Sequence, residues 1–260
     1  MGTFDNFFAY SLRSGVSTGT GTGSDTSTGT GVGVSSNLNL VTSGLIAYWN
    51  FDEESGDRVD ATGGGLDFVD VNLNTGSTNG VVNKALNFTQ TQNIIAAKNP
   101  DDSRWRLFDG DFTLSLWFNW TKTSFGRILV KTVNASTTDT DYQFIILSDS
   151  NQFLIGLTFD TGYSSTYRFN YSYSGSTEYL TFTHNLVNKT ISFYVNAANS
   201  QTISYTGNII SNSDRQVILG GKKVVADSSD FIGWMDEMSL YDRVLTTTEI
   251  AQNYSSYNAN

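Results

Sequence analysis

The sequence predicts an all-β protein built as a sandwich of two antiparallel sheets. Three observations favour this class: polar and apolar residues alternate in many short segments, Gly (24) is abundant, and Pro (1) is almost absent. Aromatic residues make up 13% of the 260 residues and charged residues only 15%. Such a composition suits strands and turns better than helices.

The predicted strands follow one another along most of the chain. "GLIAYWNF" alternates from Leu45 to Phe51, and "FTLSLWFNW" alternates from Phe112 to Trp120. The segments "YQFIILSD", "QFLIGLTF", "YRFNYSYS", "YLTFTHNL", "KTISFYVNA", "RQVILGG" and "FIGWMD" follow, separated by Gly, Asn, Asp and Ser turns. About ten short strands with no helix-period segment between them predict a single sandwich.

A short helix is predicted near the C-terminus. Thr246 and Glu249 are three positions apart, the spacing of a capping box, and they precede "IAQNY". Because so short a helix is marginal in isolation, we expect it to pack on the sandwich through Ile250 and Tyr254.

Composition divides the chain into three regions. Residues 1–14 form an anchor peptide with the aromatic side chains Phe4, Phe7, Phe8 and Tyr10. Residues 15–37 form a tether of Gly, Thr and Ser, which cannot bury enough apolar surface to fold alone. A strap that becomes ordered only along another surface is the alternative for this tract. Residues 38–260 form the predicted sandwich domain.

Charge and sequence signals exclude several classes of function. The formal net charge of −10 argues against a nucleic-acid partner, since neutralising phosphates requires clustered Lys and Arg. The absence of Cys excludes disulfides and thiolate zinc sites. No segment reaches membrane-spanning length, so no membrane insertion is expected. The N-terminus lacks a basic region followed by an apolar run, so we expect no cleaved signal peptide.

Four segments, taken in order, resemble the concanavalin-A-like, laminin-G-like jelly roll. "GLIAYWNFDEESGDRVDATGGG" resembles the opening strand and loop of that family, and "NKALNFTQTQNIIAA" and "DFTLSLWFNW" resemble two inner strands. "FIGWMDEMSLYDRVLTTTEI" resembles the closing strand and its short helix. The resemblance covers roughly residues 44–254 and implies a jelly-roll sandwich. The chain departs from the family at "EYLTFTHNLVNKTISFYVN", where a Trp-His-His strand is usual.

Two adjacent acids interrupt the closing strand. The apolar residues up to Met235 and those from Met238 onward lie on opposite parities, so they share a face only if Asp236 and Glu237 form a bulge. One interpretation is structural: an acid here accepts hydrogen bonds from loop amides or pairs with Arg243.

The family resemblance implies a second interpretation, a structural Ca²⁺ shared by the opening and closing strands. The candidate ligands are Asp52 or Glu53, Asp60 in the adjoining loop, and Asp236 or Glu237. Ca²⁺ takes six to eight oxygen ligands, and a loop rich in Gly and Asp can supply them. No linear calcium-loop motif accompanies these acids.

Catalysis is the third interpretation of the acids, and no catalytic residue is predicted. Paired glycosidase carboxylates on one strand require a spacing of two, whereas Asp236 and Glu237 are adjacent. Asp52 and Glu54 have that spacing but lie in a turn-rich stretch without a second matching strand. A single histidine, His184, with no Cys excludes most triad chemistry.

The segment "TGYSSTYRFNYSYSG" carries the candidate ligand-binding residues Tyr163, Tyr167, Tyr171 and Tyr173. Tyr167, Phe169, Tyr171 and Tyr173 alternate on one face. That face is either a core-facing aromatic ladder or a platform on which sugar rings stack.

The layout predicts a non-enzymatic structural or display protein. We expect a phage virion component, such as a head decoration or fibre-like protein, located on the extracellular particle. Its N-terminal arm would dock on a capsid protein, and its jelly roll would face outward, bind surface glycans and pack as a homo-oligomer within the assembly. A carbohydrate-binding module, secreted or at the cell surface without a cleaved signal peptide, is the alternative, and a glycoside hydrolase is a minor one.

Overall fold

Two antiparallel β-sheets face each other across one hydrophobic core in the computed structural model of the chain. The structure describes residues 38–71, 76–89, 95–105, 107–121, 126–133, 142–149, 152–171, 173–210, 215–221 and 230–257, with the backbone alone at 132–133, 142–149, 199–200 and 215. The predicted all-β sandwich with one C-terminal helix is confirmed.

The strands are numbered in chain order. They are β1 (Leu45–Trp49), β2 (Phe68–Asp70), β3 (Gly76–Asn79), β4 (Lys84–Phe88), β5 (Ile95–Ala97), β6 (Phe112–Trp120), β7 (Gly126–Val133), β8 (Tyr142–Asp149), β9 (Gln152–Thr158), β10 (Ser164–Asn170), β11 (Glu178–Asn185), β12 (Thr190–Val195), β13 (Ala198–Ser204), β14 (Arg215–Leu219) and β15 (Gly233–Tyr241). Two 3₁₀ turns, Ser103–Trp105 and Leu107–Asp109, precede β6, and helix α1 spans Thr247–Tyr257.

The sheets connect strands that are far apart in the chain. The first sheet has the order β13-β12-β11-β6-β15-β4-β3, with β1 paired to β15, and the second has the order β10-β9-β8-β7-β14-β5-β2. Each of the nine alternating segments quoted above contains a strand. Six further strands, β2, β3, β4, β5, β7 and β13, were not predicted from alternation, although the family resemblance predicted a strand at β4. Strand β10 ends at Asn170 rather than continuing to Ser174.

Strand β15 is the centre of the first sheet. It pairs with β6 and β4, and with β1 through Trp49 opposite Met238. The register against β6 shifts between Asp236 and Ser239, and Glu237 has a φ of 51°, in the left-handed region. The predicted bulge at the acid pair is therefore confirmed, and it lets Met235 and Met238 both reach the core.

Aromatic rings connect the two sheets through the core. Phe153 of β9 is fully buried, and its ring centroid lies 5.9 Å from that of Phe118 on β6 and 4.9 Å from that of Phe193 on β12. Phe182 of β11 lies 6.2 Å away in a T-shaped arrangement. Because β9 belongs to the second sheet and the other three strands to the first, Phe153 contacts much of the opposing layer.

Helix α1 begins at the predicted capping box. The Thr246 backbone N–H donates to Glu249 Oε2 (2.8 Å), and the Glu249 N–H donates to Thr246 Oγ1 (3.3 Å). Ile250 is fully buried, and Tyr254 stacks on Trp117 with centroids 5.6 Å apart, as expected. Arg243 forms an ion pair with Glu249 at 2.7 Å, so its partner is the helix rather than the strand acids.

The predicted anchor and tether, residues 1–37, lie outside the described residues, and so do Phe4, Phe7, Phe8 and Tyr10. Within the described ranges, no helix combines the length and hydropathy that a membrane crossing requires.

Replacing Phe153 by Ala should lower the free energy of unfolding by about 3–5 kcal/mol, the usual cost of removing a buried aromatic ring. Urea unfolding of the full chain measures this change. Val187→Ala is the matched control, because Val187 is 88% exposed, and it should stay within about 0.5 kcal/mol of the parent. Equal losses in both variants would contradict the described core.

Candidate functional site

Asp236 lies beneath the turn that joins β3 to β4. Its Oδ2 accepts the backbone N–H groups of Val81 (2.8 Å) and Val82 (3.3 Å), and its Oδ1 accepts that of Glu237 (2.9 Å). The backbone of Gly80 approaches this carboxyl so closely that any β-carbon there would collide with it. Burial raises the pKa of Asp236 to about 8, and the amide hydrogen bonds offset only part of that effect.

Glu237 is fully buried on the other side of the bulge. The Tyr48 hydroxyl of β1 donates to its Oε2, whereas Oε1 has no hydrogen-bond partner within 3.5 Å, although the Tyr257 hydroxyl is close enough to lower its pKa slightly. Burial, followed by the charge of Asp236, raises the pKa of Glu237 to about 9. Burial therefore favours the neutral form of both acids, and their hydrogen bonds are to groups within the sandwich.

The three other predicted calcium ligands lie in the segment after β1 and bind backbone groups. Asp52 Oδ1 accepts the backbone N–H of Lys84 (2.9 Å) and so ties this segment to the start of β4. The buried Asp60 accepts the N–H of Tyr48 (3.2 Å) and those of its own loop. Glu53 Oε1 accepts a backbone N–H from the same loop (2.8 Å).

The structure places Asp52 and Asp236 at the same β3–β4 turn, since Asp52 accepts the N–H of Lys84 and Asp236 that of Val81, and Glu237 follows Asp236 in β15. Ca²⁺ would need six to eight oxygens, but both Asp236 oxygens already accept amide hydrogen bonds. Among the described residues, no group of three or more His, Cys, Asp or Glu is arranged as metal ligands. This arrangement does not fit a calcium shell, and calcium here stays a prediction.

The residues considered for catalysis also have partners within the protein. Glu54, the second acid of the spaced pair, is exposed, lies 3.5 Å from Lys84 Nζ and accepts a hydrogen bond from a serine. His184 is fully buried, with Nδ1 2.7 Å from the Gly110 carbonyl and Nε2 2.7 Å from the Tyr205 hydroxyl. Burial lowers the pKa of His184, so this histidine is a neutral packing residue.

A cavity of about 360 Å³ opens where the edges of the two sheets meet, and we call it the rim cavity. It combines aromatic rings, hydroxyl groups and one exposed backbone segment. Its lining residues are Phe159, Thr161, Tyr163, Ser165, Tyr167, Thr206 and Gly207. Tyr163 is 67% exposed, an unusual position for a large aromatic side chain.

Backbone hydrogen bonds hold the two walls of the rim cavity together. In the β9–β10 hairpin, the Phe159 N–H donates to the Tyr163 carbonyl (2.8 Å), and the Asp160 N–H donates to the Asn208 carbonyl (3.0 Å) of the opposite wall. Gly207 has a φ of 93°, and a β-carbon there would lie 3.2 Å from the Phe159 ring. Only glycine adopts this close left-handed conformation without strain.

The four predicted ligand-binding tyrosines have two different environments. Tyr163 and Tyr167 line the rim cavity. Tyr171 packs on the core, 4.8 Å from Phe153, and the Tyr173 hydroxyl accepts the backbone N–H of Trp120 (2.9 Å). The stacking interpretation therefore has a cavity at Tyr163 and Tyr167. The core-facing interpretation describes Tyr171 and Tyr173, and also Tyr167, which packs on the core cluster as well as lining the cavity.

The opposite wall, Thr206 and Gly207, was not predicted from the sequence. The signal in the sequence is a Thr-Gly-Asn turn after the polar strand β13, which resembles any other loop. Pairing of Phe159 with Ile209 brings that turn to the hairpin, and this pairing depends on the edges of both sheets.

Two packed antiparallel sheets, a closing strand beside the opening strand and an aromatic cavity at one edge define a lectin-like β-sandwich. A laminin-G-like family model, described as the concanavalin A-like lectin/glucanase superfamily, matches residues 88–251, and the chain belongs to this family. No curated protein sequence matches the chain.

Several solved structures with a similar fold are binding domains. The receptor-binding domain of botulinum neurotoxin type G is 15% identical with a TM-score of 0.61, and the alignment covers 82% of this chain and 51% of that one. The binding domain of Paraclostridial Mosquitocidal Protein 1 is 15% identical with a TM-score of 0.62, and the alignment covers 82% of this chain and 52% of that one. The ligand-binding domain of botulinum neurotoxin serotype D, in complex with N-acetylneuraminic acid, is 12% identical with a TM-score of 0.62. The alignment covers 82% of this chain and 50% of that one. The chain spans about half the length of these structures.

The raised pKa of Glu237 predicts that the free energy of unfolding falls as pH rises. The pKa of Glu237 is higher in the folded than in the unfolded chain, so its stabilising contribution is complete below about pH 4. That contribution is lost as pH rises through about 9. Between pH 6 and 8, Glu237→Gln should remove about 1.4 kcal/mol per pH unit of this downward slope. Urea unfolding at a series of pH values measures the slope, and parallel slopes for parent and variant would show that Glu237 ionises normally.

The calcium prediction is tested by thermal melting with Ca²⁺ and with a chelator. An ion bound at 100-fold above its dissociation constant adds about 2.7 kcal/mol, which would raise the melting temperature by several degrees. Asp236→Asn should abolish that increase if the ion is held by the acid pair. Identical melting curves with and without Ca²⁺ would reject the site.

Proposed function

We propose that this chain is a non-enzymatic glycan-binding domain that binds through the rim cavity. The observation that carries the proposal is the exposed Tyr163 ring beside Tyr167 at the mouth of a cavity lined by hydroxyl groups. Aromatic faces pack against the C–H patches of sugar rings, and Ser and Thr hydroxyls exchange hydrogen bonds with sugar hydroxyls. A cavity of about 360 Å³ lies at the lower end of the range for small-molecule sites.

The comparisons support this ligand class. The family includes lectins, and two of the solved structures that share the fold are complexes of botulinum neurotoxin binding domains, one with N-acetylneuraminic acid and one with SialylT. Those ligands belong to those toxins. At 12–14% identity the likeness concerns the fold, so the site in this chain is argued from its own residues.

The burial and partners of the carboxyl groups support a binding role rather than hydrolysis. A retaining or inverting glycosidase needs two carboxyl groups facing one sugar from a cleft. Asp236 and Glu237 are fully buried, Asp52 is bound to the start of β4, and Glu54 lies on the surface beside Lys84. The rim cavity contains no carboxylate among its described lining residues.

We further propose that this domain is displayed on a virion, where residues 1–37 dock on a capsid protein. Its support is the layout of the sequence: a short aromatic peptide, a Gly, Thr and Ser tract, and a single binding domain. Display of many copies, whether separate or as a homo-oligomer, would turn weak individual contacts into useful avidity. A secreted or cell-surface carbohydrate-binding module would use the same cavity without the arm.

Tyr163→Ala should weaken glycan binding by about tenfold or more, since truncating a central aromatic contact costs at least about 1.4 kcal/mol. The measurement is titration calorimetry of the full chain with the best ligand from a glycan array. Val187→Ala is the control, because it removes an exposed apolar side chain outside the cavity lining. Unchanged affinity in Tyr163→Ala would move the site away from the rim cavity.

Deleting residues 1–36 should abolish incorporation into particles while the sandwich still folds. Particle incorporation is measured by co-sedimentation with purified virions, and folding is measured by the melting temperature. The control deletion shortens only the Gly, Thr and Ser tract, residues 15–36, and keeps the aromatic peptide. Incorporation of the chain without residues 1–36 would refute the docking arm.

A further inference from the structure

The described residues that line the rim cavity carry no charged side chain. Phe159, Tyr163 and Tyr167 contribute rings, Ser165 contributes a hydroxyl, and Gly207 contributes bare backbone. Two threonines, at positions 161 and 206, complete the lining. This set matches the surface of an uncharged sugar, which offers hydroxyls and C–H patches but no ionised group.

We propose that the rim cavity binds a terminal, uncharged pyranose and discriminates against the same glycan when it ends in sialic acid. This inference rests on the proposed function and names the class of ligand for that site. It separates this chain from the serotype D neurotoxin domain, whose complex contains N-acetylneuraminic acid.

Two cations lie near the cavity, and neither is among its described lining residues. Lys189 Nζ donates to the Gly207 carbonyl at 2.5 Å and to Asn208 Oδ1 at 3.3 Å, so it supports the outer wall of the cavity. Arg168 follows Tyr167 in β10 and therefore projects from the opposite face of the strand, where it donates to Gln152 Oε1 at 2.8 Å. Both cations therefore already bind uncharged acceptors.

The charge of Asp160 at the mouth opposes an anion. Asp160 is exposed between two lining residues, Phe159 and Thr161, and its Oδ2 accepts a hydrogen bond from Asn208 Nδ2 at 3.2 Å. The whole chain carries a formal net charge of −10. A carboxylate taken into the cavity would lose hydration without a charged partner, and like charges nearby would add repulsion.

The test uses the full chain on a glycan array that contains matched pairs. Each galactose-ended oligosaccharide is present with and without a terminal sialic acid, beside glucose-, mannose-, fucose- and N-acetylglucosamine-ended glycans. We expect binding to one or more neutral ends, and a signal at least tenfold weaker for the sialylated member of any bound pair. For the bound neutral glycan, Tyr163→Ala should lose the signal and Val187→Ala should keep it.

Asp160→Asn is the variant that tests the electrostatic cause. It removes the anion at the mouth without changing a lining residue, so it should reduce the tenfold discrimination against sialylated glycans and leave the neutral partners bound.

The outcomes separate the inference from the proposed function. Equal or tighter binding of sialylated members, lost in Tyr163→Ala, would overturn the neutral-sugar inference and leave glycan binding in place. Discrimination that does not change in Asp160→Asn would overturn the electrostatic cause. No binding to any glycan would overturn the proposed function, and the inference with it.

Discussion

The pairing of β15 with three other strands is the constraint on which the sandwich depends. A regular strand could not keep both halves of β15 in register with β6 and still bury Met235 and Met238, so the bulge at Asp236 and Glu237 is required. The Tyr48 hydroxyl donates to Glu237 across 189 positions of sequence. The acids therefore bind the opening strand and the β3–β4 turn to the centre of the first sheet.

Strands whose own residues alternate could be predicted from the sequence. Strands that form only because they pair with a neighbouring strand could not. β3 (GSTN) and β13 (ANSQTIS) contain too few apolar side chains to show a period of two, and pairing with β4 and β12 makes them strands. In β7, the buried Arg127 and Lys131 break the apolar pattern. Local turn chemistry was sufficient for helix α1, because both capping residues lie within four positions.

The candidate site was predictable only in part, and for a similar reason. The bulge followed from side-chain parity alone, but whether its acids bind amides or a metal depends on Val81 and Val82, about 155 positions away. Tyr163 and Tyr167 could be named as candidates, yet the sequence could not separate them from Tyr171 and Tyr173. Tyr163 precedes β10 and is exposed, whereas Tyr171 follows β10 and packs on Phe153.

The acid pair and the proposed binding cavity thus lie in different parts of the sandwich, since β15 and β13 are four strand positions apart, about 19 Å at the usual spacing. The most direct test is a map of amide chemical-shift changes in the full chain on adding the glycan that binds most tightly. The account predicts changes concentrated at residues 159–167 and 206–207, with Asp52, Asp236 and Glu237 unaffected. Chemical-shift changes centred on those acids, with no change at the residues of the rim cavity, would contradict this account.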